Sequence, residues 1–198
     1  SRESIEVAEA AREAEWNAPS FVAELFMGTF KRSLLFPFPV QSEEDRRTGD
    51  EFCAKLDAFL RANVDPDEVD RTREIPASVI QGLAALGCFG IKIPKEYGGL
   101  GMSQVNYNRA MRLVASWCGS TAVFLSAHQS IGVPQPLKLF GTKEQKEKYL
   151  PRLAKGEISA FALTETGAGS DPANMLTTAT PTEDGKAFVI NGEKIWCT

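Results

Sequence analysis

The chain has 198 residues, 43% of them hydrophobic and 24% charged, with a formal net charge of −4. This composition suits a globular protein with one large or two small cores, and it excludes a nucleic-acid binder, because no run of Lys or Arg builds a basic face. No stretch approaches the roughly 18 apolar residues of a spanning helix, and the amino terminus, SRESIEVAEAAREAE, is acidic rather than an apolar leader.

Residues 4 to 15, rich in Ala, Glu and Arg, predict a short helix with a thin apolar face. The next segment, SFVAELFMGTFKRSLLFPFP, carries Phe21, Leu25, Phe26 and Phe30 near the helical period and stops at Pro37 and Pro39. Ser42 and Asp45 read as a capping box opening a helix to about Asn63, with Phe52, Leu56, Phe59 and Leu60 as its buried stripe. Asp65, Pro66 and Asp67 then break the pattern. Pro76 and Gly87 bracket a further helix, and GIKIPKEYGGLG follows as a loop between apolar anchors.

Ser103 caps a helix whose Tyr107, Ala110, Met111, Val114 and Trp117 form a core stripe. Residues 120 to 131, STAVFLSAHQSI, predict another apolar helix. His128, the only histidine, is either a proton shuttle or a structural hydrogen-bonding group there. Thr142 with Gln145 makes a second capping box, and the charged helix it opens ends at Gly156, its Lys and Glu residues being a solvated face.

After Gly156 the periodicity changes from helical to alternating. Strands are expected at about 158 to 164, 174 to 180, 186 to 191 and 193 to 198, with turns at Glu183-Asp184-Gly185 and Asn191-Gly192. The expected fold class is therefore α+β, an all-α amino-terminal domain followed by the start of an antiparallel β-domain. The divisions are an amino-terminal extension with a lead-in helix over 1–41, a helical domain over 42–157 and a first β portion over 158–198. Cys53, Cys88, Cys118 and Cys197 are scattered with no C-x-x-C pair, and His128 has no Cys or second His nearby. Free thiols in a reducing compartment, no secretion and no metal site are expected.

Chemistry concentrates in Ala160 to Asp171, AFALTETGAGSD, where an apolar strand runs into a loop of glycines, a serine and a carboxylate. Gly167, Ala168 and Gly169 leave a backbone that a ligand can approach. Converging N–H groups and the Ser170 hydroxyl are able to hold a phosphate or carbonyl oxygen, although the same composition also makes plain surface turns. The loop is not a P-loop, since no Gly-Lys-Ser/Thr follows, and Pro172 rather than a helix turn follows where a dinucleotide-binding helix would begin. It is not a nucleophile elbow, because Ala168 and Pro172 flank Ser170 where that turn needs glycines. Downstream, FVINGEKIWCT turns at Asn191-Gly192, and Trp196 and Thr198 are expected on one side of a sheet.

Taken together, A-F-A-L-T-E-x-G-A-G-S-D followed by N-G-x-K-x-W-x-T resembles the acyl-CoA dehydrogenase family. The resemblance implies FAD as cofactor, held between these two segments on the middle β-domain of a three-part subunit. Phe161, Leu163 and Thr164 would line the isoalloxazine, and Gly169 and Ser170 would meet the flavin and the acyl-CoA. Trp196 would pack against the ring, with Thr198 near N5. Thr166, usually proline, and Cys197, usually isoleucine, depart from the pattern. The 20–39 run and the L-x-x-L-G…P-x-x-x-G-G-x-G passage are also similar to the family, the former to its very-long-chain branch. Gly132 would leave room for a long acyl chain beside a tunnel, although an insertion around Pro134 to Pro136 departs from relatives there.

The implied reaction is α,β-dehydrogenation of a fatty acyl-CoA: a carboxylate removes the α-proton while the β-hydrogen leaves as hydride. The resemblance puts the base glutamate beyond position 198, so no residue here is assigned a catalytic role, and Glu165 is expected to be structural. These 198 residues alone are expected to be inactive and to bind FAD weakly, the carboxy-terminal helical bundle being absent. Electron-transfer flavoprotein is the implied acceptor and a homodimer or homotetramer the implied assembly. The compartment would be cytoplasmic in a bacterium and mitochondrial in a eukaryote. An acyl-CoA oxidase, or a non-catalytic scaffold that kept the fold, are the alternatives.

Overall fold

The computed structural model describes residues 20–38 and 40–197. The expected helix at 4 to 15 and the side chain of Thr198 lie outside them.

Helix α1 spans Phe21–Phe26, with the Ser20 hydroxyl accepting from the Ala23 N–H. Helix α2, Glu43–Asn63, opens on Ser42, whose hydroxyl accepts from the Asp45 N–H at 3.2 Å, and three acidic residues sit in its first turn, where the helix dipole favours them. The capping box is only half made. The Asp45 carboxylate accepts instead from Gln41 at 2.6 Å, the Ser103 hydroxyl at 2.8 Å and Asn106 at 2.9 Å. An aspartate has one methylene too few to reach back comfortably, and here it ties α2 to the start of another helix. Asn106 is buried, and a Cβ at Gly49 would stand 1.9 Å from its side-chain oxygen, so the crossing admits only glycine there.

Asp65, Pro66 and Asp67 do end α2, but they also start α3, Pro66–Thr72. The Asp65 carboxylate accepts from the Asp67 and Glu68 N–H groups, and proline occupies the first turn. Helix α4 covers Ala77–Ala85 with Pro76 as its cap. The loop after it folds back on itself through bonds from Leu100 N–H to Gly90 O and from Met102 N–H to Ile91 O.

Helix α5, Gln104–Trp117, packs on α2 and on α6, Gly119–Ser126. Leu56 and Leu60 of α2, Leu83 of α4, Phe89 and Ile91 of the loop, Val114 of α5 and Leu125 of α6 form a core with essentially no exposure. Phe59 and Met111, expected within the buried stripes, are half-buried at its edge. A smaller cluster joins Ile93 to Leu150 and Leu153. These belong to the region of α7, Pro134–Phe140, and α8, Lys143–Ala154, the latter with both halves of the Thr142–Gln145 capping box.

The apolar helix expected over 120 to 131 is regular only to Ser126. Ala127–Ile131 widens into a π turn, closed by a 2.7 Å bond from Gly132 N–H to Ala127 O. That widening lets two successive polar side chains, His128 and Gln129, both face inward.

After Ala154 the architecture changes. Strands β1, Thr178–Pro181, and β2, Phe188–Asn191, pair antiparallel from Thr178 with Asn191 to Pro181 with Phe188. The expected strands at 158 to 164 and 193 to 198 are not formed among the described residues. A strand needs a neighbour for its backbone, and these two stretches share one main-chain bond, from Ile195 N–H to Thr164 O at 2.9 Å. The strand expected from 174 starts late because the Leu176 and Thr177 N–H groups bond a carboxylate rather than a strand. Trp196 departs furthest: at φ +58° it cannot sit in a strand with Thr198.

Candidate functional site

The 160–171 segment is built around Glu165. Its N–H donates to Ala168 O at 3.0 Å and its carbonyl accepts from Ala168 N–H at 3.2 Å, closing a small loop with Ala168 buried. Its carboxylate accepts four bonds: from Lys194 Nζ at 2.8 Å, Leu176 N–H at 2.7 Å, Thr177 N–H at 3.0 Å and the Thr177 hydroxyl. Lys194, first, and then Thr177 and Leu176 hold the carboxyl down to about 2. Such a group stays ionised and saturated at neutral pH and is a poor base. Glu165 thereby ties the loop to Leu176, Thr177 and Lys194.

Lys194 also donates to the Leu163 carbonyl at 2.9 Å, and Ile195 to Thr164. Residues 163–165 and 194–195 are thereby neighbours, so two of the segments singled out in the sequence meet. Leu163 and Thr164 are half-buried in this junction, Phe161 is 50% exposed and Trp196 is 86% exposed, so both aromatics offer faces that the described residues do not cover. Gly169 and Ser170 are exposed, and among the described residues no hydrogen bond ties them to 194–197. Their N–H groups and the Ser170 hydroxyl are without partners there, and a Cβ at Gly167 or Gly169 would meet nothing within 4 Å. Donors on an unobstructed backbone suit phosphate or carbonyl oxygens, and the exposed rings of Phe161 and Trp196 suit a flat ring.

Lys194 and Thr177 were not legible as site-forming residues, because nothing local links positions 29 and 12 residues from Glu165. Next to the junction, Val123, Phe124, Ile131, Ile158 and Phe161 wall a mostly apolar cavity of about 220 Å³ whose polar members are His128 and Ser159. Gly132, expected to clear a tunnel, is not in this wall. A Cβ there would stand 2.5 Å from the His128 carbonyl and from the Ser159 hydroxyl. The four cysteines are free, Cys88 with its thiol pushed up to about 12 by burial, and the described residues contain no group of three metal ligands. No helix among them is long and apolar enough to cross a membrane.

A helical body passing through a glycine-bearing loop into a small antiparallel sheet defines the class as an α+β protein. A family model described as the acyl-CoA dehydrogenase N-terminal domain matches residues 47–157, and one described as the middle domain matches 160–198. The chain belongs to the acyl-CoA dehydrogenase family. It is 53% identical over 192 residues to the probable acyl-CoA dehydrogenase FadE10 of Mycobacterium tuberculosis, covering 97% of this chain and 29% of that protein. It is 39% identical over 185 residues to the human mitochondrial very long-chain specific acyl-CoA dehydrogenase, covering 92% and 28%. Among solved structures it is similar to an acyl-CoA dehydrogenase complexed with FAD from Bacillus anthracis, with TM-score 0.65 and 35% identity over 79% of this chain and 26% of that one. The chain thus spans less than a third of the length of these relatives.

Proposed function

We propose that this chain forms the amino-terminal part of an FAD-dependent acyl-CoA dehydrogenase that desaturates long-chain fatty acyl-CoA thioesters in β-oxidation. The observation carrying this reading is the junction in which Lys194 and Glu165 hold 163–165 against 194–195, leaving Phe161, Trp196 and the donors of Gly169 and Ser170 open. Phe161, Leu163, Thr164 and Trp196 would line the ring of FAD and Thr198 would complete that wall. Gly169 and Ser170 would donate to its oxygens and, at Ser170, to the thioester.

When bound, FAD supplies the hydride acceptor. The chain's own part is to bind, orient and shield. Glu165, the carboxylate of this loop, is saturated by its four donors, and abstraction of the α-proton is assigned to a residue outside this sequence. The division between helical and sheet-bearing parts is placed at 157/158, the acceptor is proposed to be electron-transfer flavoprotein, and the assembly a homodimer or homotetramer in the cytoplasm or the mitochondrion according to source. Similarity to the very long-chain enzyme favours long acyl chains.

The test is an anaerobic titration of the natural-length protein with a long-chain acyl-CoA, following flavin absorbance. Bleaching of the oxidised band is expected, with slow reoxidation in air. Fast reoxidation would reassign the protein as an oxidase, and a protein that takes up no flavin would sink the reading in favour of a scaffold.

A further inference from the structure

The π turn is fixed from several directions at once. The Gln129 amide donates to Cys88 O at 2.7 Å, and the Tyr107 hydroxyl lies 3.1 Å from the Ser126 hydroxyl and 2.7 Å from that of Ser130. The Phe89 ring meets His128 edge-on at 5.2 Å between centroids. His128, 1% exposed, turns the remaining contact outward to the segment that carries Phe161: the Ser159 N–H lies 3.1 Å from its Nδ1 and the Ser159 hydroxyl 3.0 Å from the same atom. Ser159 in turn receives the Val133 N–H on its hydroxyl oxygen at 3.1 Å, just before α7.

A backbone N–H only donates, so Nδ1 must be the acceptor and the ring proton sits on Nε2. Burial pushes the imidazolium pKa down, against a smaller opposing effect of the Leu153 and Phe89 carbonyls, which agrees with a neutral ring. Nε2 itself has no hydrogen-bond partner of ordinary geometry. The hydrogen bonds that His128 makes within ordinary geometry are therefore those at Nδ1, to Ser159.

We propose that His128 is a positioning residue for the cofactor wall: its Nδ1 latches Ser159 to the helical body and so sets where Phe161, two residues on, presents its ring. The proposal rests on the FAD reading of the 160–171 segment. Without the latch, the stretch between Glu157 and Leu163 keeps, among the described residues, the Glu157 bonds to Arg152 and the bond from Val133 N–H to the Ser159 hydroxyl. Its main chain from Ile158 to Phe161 is then less tightly set while the helical core remains intact.

Two variants of the natural-length protein separate the latch from ordinary packing. His128→Leu removes the acceptor. His128→Asn places an amide oxygen close to where Nδ1 was and dispenses with the unpartnered Nε2–H. The measurements are FAD affinity, the visible circular dichroism of bound flavin, and hydrogen exchange of the peptide containing Ser159. In His128→Leu the affinity is expected to fall by about tenfold or more, the scale of one buried donor left unsatisfied, with an altered flavin band and faster exchange at Ser159. His128→Asn is expected to restore all three. Unchanged flavin affinity and spectrum in His128→Leu overturn the latch, as does a His128→Asn protein as weak as His128→Leu. If His128→Leu does not fold, His128→Asn and the wild type decide: an unprotected Ser159 amide in the wild type overturns the proposal. A wild type that protects Ser159 yet binds no flavin overturns the FAD reading instead.

Discussion

Replacing Gly132 by alanine sets two explanations of this glycine against each other. Its φ of −67° is open to alanine, so no backbone strain follows from the substitution itself. A Cβ, however, would lie 2.5 Å from the His128 carbonyl and the Ser159 hydroxyl, where ordinary contact begins at 3.4 Å. The carbonyl belongs to the pinned π turn and moves little. The hydroxyl rotates only by giving up the Val133 N–H and His128. Overpacking of this kind costs about 1–3 kcal/mol and the lost hydrogen bond about 1 kcal/mol, while the stiffer unfolded chain returns about 0.4–1 kcal/mol. The net is about 1–3.6 kcal/mol, or roughly 2–14 °C in Tm at the sensitivity of a domain this size. Thermal unfolding followed by circular dichroism reads it directly. A Gly132→Ala protein that melts with the wild type but shifts its acyl-chain preference to shorter substrates would refute the packing argument and restore the tunnel explanation.

Two further outcomes are expected. Glu165 has a folded pKa of about 2, below the roughly 4.3 of a free glutamate. Its contribution is therefore present above the higher value and is lost as pH falls through the lower one. Urea midpoints of wild type and Glu165→Gln should converge between those two values, and parallel curves across that window would contradict the assignment. Trp196→Gly should leave stability within about 1 kcal/mol, because relief of a left-handed backbone offsets the greater freedom of glycine in the unfolded chain and an 86% exposed ring buries little. The same change should weaken FAD binding, and undiminished flavin uptake would remove Trp196 from the site.

The helical part was legible because its signals are local. Ser42, Ser103 and Thr142 cap the helices they precede, and Phe52, Leu56 and Leu60 fall on one face. The Asp65-Pro66 pair carried a start signal as well as a stop, and α3 follows from it. The π turn was not legible, since His128 and Gln129 are buried side by side against the helical period. Beyond Gly156 the alternation was visible, yet alternation does not supply a pairing partner, so only the hairpin with its 182–187 turn became a ladder. Phe161, Leu163, Thr164 and Trp196 were read as motif residues and Lys194 stood in the motif without a role, whereas Thr177 and Ser159 act through partners remote in sequence and carry no local mark.

Glu165 shows why the most conspicuous carboxylate of a site need not react. Its four donors come from Leu176, Thr177 and Lys194, so one side chain closes the ends of three separate segments. A base needs an uncommitted lone pair and a pKa near the working pH, and each donor that Glu165 gains moves it away from both. With 163–165 held to 194–195 by Lys194 and by the Ile195 N–H, the donors of Gly169 and Ser170 have no hydrogen-bond partner among the described residues. One carboxylate thus holds the loop and leaves these donors unspent, and on the proposed FAD reading the residues that build the site would be distinct from those that touch the cofactor.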